Sequence, residues 1–212
     1  MTCRFPILAA FVCLPLTIQA QDIPTADLAA LSRIWSATEV ELSSANDGPE
    51  LALLLDGDNQ DMDLVVLAGR RSSDPGRVLH LVPGAAYRGD IAGGRPELAV
   101  NAAGSLQIIT SQSNGWTPFE ETLTLVERDG QLRVAGLTWH ETDRGTLRSG
   151  ICDWNLLTGD WQVSISASGE EGDDHVENRS GRMSMNIDFA NWLAKGDGLP
   201  EHCRMTLSGA SE

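Results

Sequence analysis

Lysine is almost missing from this chain. Lys195 is the lone example in 212 residues, and 15 basic side chains stand against 30 acidic ones, a formal charge of −15. So acidic a surface lacks the excess of Lys and Arg that phosphate backbones require, which excludes nucleic acid as a partner. Cationic ligands, metal ions and basic proteins are favoured electrostatically, although solubility alone also rewards such a charge. A phosphate-cradling loop is lacking too. Gly93-Gly94 runs into Arg95-Pro96 rather than a helix, and no Walker lysine exists. There is no HExxH pair, no Gly-x-Ser-x-Gly elbow and no Ser-x-x-Lys. Enzymes that announce themselves by local signatures are thereby removed; a triad assembled in space is not. Beyond the first twenty residues no apolar run approaches the roughly 20 residues of a membrane helix. No self-similarity at a fixed period marks a solenoid or a complete propeller.

Those first twenty residues carry the clearest positive signal. Arg4 opens them, 5–18 are almost wholly apolar, and Gln19-Ala20 precede polar Gln21-Asp22. That is the anatomy of a secretory signal peptide cut after Ala20. The mature chain, 21–212, is then a single β-rich domain in the periplasm or outside the cell, with no transmembrane span. The leader removes Cys3 and Cys13, leaving Cys152 and Cys203 in an oxidising compartment, where an even pair reads as a disulfide. Free thiols and metal ligands are the alternatives, but no CxxC supports a metal.

Apolar periodicity predicts a mainly β fold with one or two short helices. Leu28, Leu31, Ile34 and Trp35 share one helical face after Pro24-Thr25. Continuous apolar runs at 51–55, 64–68 and 78–82 suit strands covered on both faces. Alternation at 122–125, 161–167 and 183–189 suits strands with one wet face. Asp129-Gly130 reads as a type I′ hairpin turn, and Gly159-Asp160 reads the same way. Residues 168–179 read as a long acidic loop, and 189–195 as a short helix stopped by Gly196 and Pro200. The architecture expected is one antiparallel domain, either a sandwich or a twisted, blade-like sheet.

The densest candidate site is the acidic run Asp56-Gly57-Asp58-Asn59-Gln60-Asp61-Met62-Asp63 between two apolar strands. Hard carboxylate oxygens in a tight loop suit calcium, which takes six to eight oxygen ligands. An EF-hand is excluded, because its sixth position is Asp61 and its twelfth is Leu67. The segment 53–67 resembles the acidic loop of FG-GAP or VCBS repeats, with Asp63-Leu64-Val65-Val66-Leu67 as the matching tail. It departs from that pattern in being one residue short, with Asn59 or Gln60 in place of the central glycine. The resemblance implies Asp56, Asp58, Asp61 and Asp63 as calcium ligands. A solvated hairpin turn explains the same residues without metal.

Other candidates are sparser. His80 sits in an apolar strand and reads as a hydrogen-bonded or edge histidine. His140, beside Glu141 and near Asp143, is the best acid–base group, although adjacent strand residues face opposite ways. Trp139 and Trp161 share parity with apolar neighbours and read as core. Trp116, ahead of Pro118, is the better exposed ring and a candidate ligand platform. Three functions remain open. The leading one is a non-enzymatic secreted or periplasmic binding module, with calcium assistance as one version and a protein or carbohydrate of the envelope as partner. The others are a periplasmic hydrolase using carboxylates and His140, and a structural or inhibitor-like envelope protein. N-terminal sequencing of the exported chain is expected to begin at Gln21; a mature protein beginning at Met1 would remove the compartment argument.

Overall fold

β-Hairpins follow one another along nearly the whole chain, and their register decides which side chains meet. The computed structural model describes residues 31–43, 48–89, 94–168, 174–196 and 199–205. The signal segment and Leu28 lie outside the described residues. From Arg33 onward the chain is one compact unit.

Two antiparallel sheets build it. The first has the order β1 (Ile34–Val40), β2 (Glu50–Asp56), β3 (Asp61–Leu67) and β4 (Val78–Tyr87). The second runs β5 (Glu97–Val100), β6 (Leu106–Gln112), β7 (Phe119–Arg128), β8 (Gln131–Asp143), β9 (Arg148–Asn155), β10 (Asp160–Ser168) and β11 (Asp174–Arg182) in sequence order. Every described strand therefore pairs with its chain neighbour within a sheet, as short turns favour. One short helix, α1 (Phe189–Ala194), follows, then a 3-10 turn at Glu201–Cys203. The mainly β expectation holds: the runs at 51–55 and 64–67 fall in β2 and β3, but 78–82 falls in β4, an edge strand whose Val78 and Leu81 are exposed, so it is not covered on both faces as expected.

Cross-strand register explains the core. Ile108, Leu123, Leu137, Trp154, Trp161 and Gly181 form one row across the inner face of the larger sheet. Ala52, Leu54, Met62, Leu64 and Val66 supply the facing side, and the two sets share a single apolar cluster. Burial of this kind contributes about 25 cal/mol for each Å² of apolar surface removed from water. The sheets are also joined by polar contacts. His80 Nε2 lies 2.8 Å from Glu127 Oε2, both side chains being largely shielded. At the β1–β5 edge, Trp35 Nε1 donates to the Pro96 carbonyl at 2.7 Å, and the Leu98 amide donates to Ser36 Oγ at 3.1 Å. Removing one partner of the His80–Glu127 pair leaves the other shielded, at a cost of about 1–3 kcal/mol.

Four further local expectations change. Ile34 and Trp35 belong to a strand, not a helix, because β1 pairs with β2 from Ile34 to Val40. Tertiary pairing overrides helical spacing there. Residues 183–187 alternate like a strand yet join no ladder. They cross the end of the larger sheet on single bonds, Met185 N to Leu156 O and Val134 N to Ile187 O, and press Met185 and Ile187 against the core. Part of the expected acidic loop is instead β11, an edge strand whose wet face needs no apolar residues. The β9–β10 turn occupies 156–159, not Gly159-Asp160. Asn155 Oδ1 accepts from the Leu157 and Thr158 amides, and Asp160 already pairs with Arg182. The Asp129-Gly130 turn does have positive φ at both residues (55° and 73°), as type I′ requires.

Cys152 and Cys203 form the expected disulfide, with Cα atoms 5.3 Å apart across a sequence separation of 51. It fastens the segment after α1 to the inner face of β9. Gly150 makes room there, since a Cβ on it would collide with Met205 Sδ. Replacing both cysteines by serine is expected to lower stability by about 4 kcal/mol in the loop-entropy model, read from the urea midpoint at unchanged slope. An unshifted midpoint would show that packing alone holds the segment.

Candidate functional site

Between the two sheets, at the end away from the His80–Glu127 contact, lies a cleft of about 600 Å³. That volume is in the range of small-molecule sites. Its floor comes from the alternating inner faces of β6, β7 and β8: Ile108, Leu123 and Leu137, each nearly inaccessible to solvent. Gly84, Ala85, Ala86 and Tyr87 of β4 form the opposite wall. Trp192 and Leu193 of α1, with Leu199 and Pro200 of the disulfide-held segment, form the roof. The Asp188 carboxylate caps α1, accepting from the Asn191 amide at 2.9 Å. That backbone hydrogen bond and one from the Asn191 side chain hold the Asp188 carboxyl below its usual value.

Exposure separates floor from mouth. Asp61, Gly84, Tyr87 and Gly196 are exposed lining residues, whereas Ala85 is buried. Phe119 and Trp139 stack at the side with ring centroids 4.6 Å apart and planes 11° apart. Trp139 Nε1 donates to Glu141 Oε2 at 3.3 Å. Glu121 pairs across the strands with both Thr110 and Trp139, on the inner face and half-buried. Asp61 and Glu121 are the acidic residues of this lining among the described residues; Asp61 pairs with Tyr87, and the next pair, Met62 with Ala86, takes the inner face.

A second cavity of about 520 Å³ lies on the other side of Trp192, which with Gly196 and Pro200 lines both. Here the lining includes Trp154, Met183, Met185, Arg179, Lys195, Glu201 and His202. His202 packs between two indoles, edge-on to Trp154 at 4.6 Å and tilted against Trp161 at 4.9 Å. Gly181 beneath Trp161 permits this, because a Cβ there would strike the indole ring. His202 Nε2 is shielded and has no hydrogen-bond partner among the described residues.

The expected site residues scatter. Asp56 shares a strand pair with Met62 and lies within 3.5 Å of Arg88 Nη1; Asp63 pairs with Leu55 on the opposite face of the hairpin and lies 3.8 Å from Arg33 Nη2. Asp63 Oδ1 also accepts from the Gly84 amide at 3.1 Å. Asp61 sits at the cleft mouth, and the Asp58 side chain falls outside the described positions. Among the described residues, the one grouping of metal-capable atoms is Cys152, His202 and Cys203, whose two sulfurs are bonded to each other. His140 is exposed on the outer face in register with Glu120 and Ile151, in a depression that also holds Ser149 and Ser166. The two serine hydroxyls bond each other at 3.1 Å, and among the described residues His140 bonds to neither. Glu141 points to the inner face, so the two halves of the expected His140–Glu141 pair are separated by the sheet. His80 is satisfied by Glu127. Trp116 is 75% exposed, on a loop whose carbonyl accepts from the Arg144 amide.

Sequence reasoning missed the cleft. Its lining comes from five strands, a helix and a tail segment, and no local window contains it. Comparison with protein-family models, curated proteins and solved structures returns no match.

Burial lowers the His202 pKa below its ordinary 6.5. Between that depressed value and 6.5 the unfolded chain binds a proton that the folded chain refuses. Stability contributed by neutral His202 is present above 6.5 and is lost as pH falls toward the folded value. Thermal melts at pH 8 and pH 5 are expected to show a smaller acid-induced loss for His202→Phe than for the parent. Equal losses would assign the dependence to other groups.

Proposed function

We propose that this protein is a non-enzymatic binding module of the periplasm or extracellular space, and that its ligand is a small, mostly apolar molecule held in the cleft between the sheets. The observation that carries this reading is the cleft itself. It offers about 600 Å³ bounded by buried aliphatic residues and four aromatic rings, the usual make-up of a ligand pocket with a few polar groups to orient its occupant. A core packed to ordinary density would leave few voids larger than a water molecule. The acid–base candidates add weight from the other side: His140 and Glu141 lie on opposite faces of β8. The signal-peptide-like leader and the disulfide support the compartment.

The test uses a neutral apolar fluorophore, N-phenyl-1-naphthylamine, titrated into the oxidised protein. Saturable enhancement with one site per chain is expected. Ala86→Trp, which places an indole in the cleft wall, is expected to weaken it about tenfold or more with the circular dichroism of the fold unchanged. A linear, unsaturable signal, or binding indifferent to Ala86→Trp, would sink the reading.

A further inference from the structure

We propose that Cys152, Cys203 and His202 form a zinc site when the disulfide is reduced, so that this crosslink has a metal-bound alternative. Both sulfurs and a ring nitrogen of His202 lie within 4.8 Å of one another. Ligand atoms sharing one tetrahedral zinc, with Zn–S about 2.3 Å and Zn–N about 2.0–2.1 Å, sit roughly 3.5–3.8 Å apart. Opening the S–S bond and rotating the side chains reaches that spacing. The supports of the three ligands are fixed independently. Cys152 lies in β9 between Trp139 and Val163, and His202 and Cys203 share one 3-10 turn. Trp154 and Trp161 hold the imidazole between them. His202 Nε2 is shielded and has no hydrogen-bond partner among the described residues, so the ring gives up no bond there to take an ion.

The donor set selects the ion. Two thiolates and an imidazole, with no carboxylate among them, suit zinc rather than calcium or magnesium. The two thiolate charges cancel those of the ion, so a site whose cysteines are fully buried carries no net charge. A fourth tetrahedral position remains for water. The cavity of about 520 Å³ that His202 lines gives the ion a path inward past exposed Met183, Lys195 and Glu201. Disulfide and metal exclude each other. Because both sulfurs are buried, exchange follows local opening of 199–205. A dithiol reductant then passes two electrons to the S–S bond and becomes a disulfide itself, while its two protons go to the Cys152 and Cys203 sulfurs. Zinc displaces those two protons as it takes both thiolates. The metal crosslinks the same two residues as the bond it replaces, which keeps Leu199 and Pro200 over the cleft.

The experiment titrates zinc, against a chromophoric chelator, into the full protein in two forms: oxidised, and reduced with dithiothreitol that is then removed under nitrogen. One zinc per reduced chain and none per oxidised chain is expected. Zinc at about a hundredfold excess over its dissociation constant is expected to raise the melting midpoint of the reduced protein by about 5–10 °C and to leave that of the oxidised protein unchanged. Cobalt(II) in place of zinc is expected to show thiolate-to-metal charge-transfer absorption. His202→Phe is expected to weaken zinc binding about tenfold or more, whereas His140→Phe, on the outer face, leaves it unchanged. His202→Gln serves the same purpose if the phenylalanine variant fails to fold. Equal zinc binding by both forms, or binding without the cobalt–thiolate absorption, would mean adsorption to the acidic surface and would overturn the site. Binding indifferent to His202 would overturn the three-ligand set. A reduced chain that takes up no zinc would overturn the proposal outright. None of these outcomes bears on the binding role of the cleft, which is tested in the oxidised protein.

Discussion

The Cys152–Cys203 bond is the constraint on which the interior geometry depends. It lies in the middle of the larger sheet, where Cys152 pairs with Trp139 on one side and Val163 on the other. By fastening Cys203 there, it lays the segment that follows α1 over the inner face of β9 and β10. Leu199 and Pro200 then roof one cavity, while Pro200, Glu201 and His202 line the other. Two glycines make the fit sterically feasible: Gly150 beneath Met205 and Gly181 beneath Trp161. A crosslink of this kind acts chiefly on the unfolded chain, but its location decides which surfaces the folded chain encloses.

The space enclosed is set by the way two meanders meet. At one end His80 and Glu127 draw β4 and β7 together. Along the β1–β5 edge, backbone pairing gives way to side-chain bonds from Trp35 and Ser36, with the Arg88 guanidinium 5.2 Å from the Trp35 ring centroid. The opposite end stays apart, and α1 enters between the sheets there, leaving a cavity on each side of Trp192. Glu121, which lines one, and Arg179, which lines the other, lie in the same cross-strand row, four strand positions apart.

Much of the fold was legible in the residues. Apolar runs marked β2, β3 and β4, and alternation put Leu123, Trp161 and Val163 on their true faces. Both were readable because side-chain direction in a strand depends only on parity. Errors arose where a segment carried the right pattern without a partner, or a partner without the pattern. Residues 183–187 alternate but have no adjacent strand edge. Residues 174–182 are too polar to announce a strand, yet β10 offers an unpaired edge that they complete. In the acidic run 56–63, a linear reading brings neighbouring carboxylates together, but three-dimensional register arranges two of them differently. Register sends Asp56 and Asp63 to opposite faces, each beside its own arginine.

What the sequence determined by itself, then, is the class of fold, the turn chemistry at Asp129-Gly130 and the pairing of the two cysteines that a cleaved leader would leave. These follow from local periodicity, backbone preference and counting. Only the tertiary structure decided where a ligand can sit. The cleft draws Asp61, Ala86, Leu123, Leu137 and Trp192 from separate elements, and which carboxylate faces it depends on how one meander docks on another. Docking is fixed by long-range packing, which no local window of residues records.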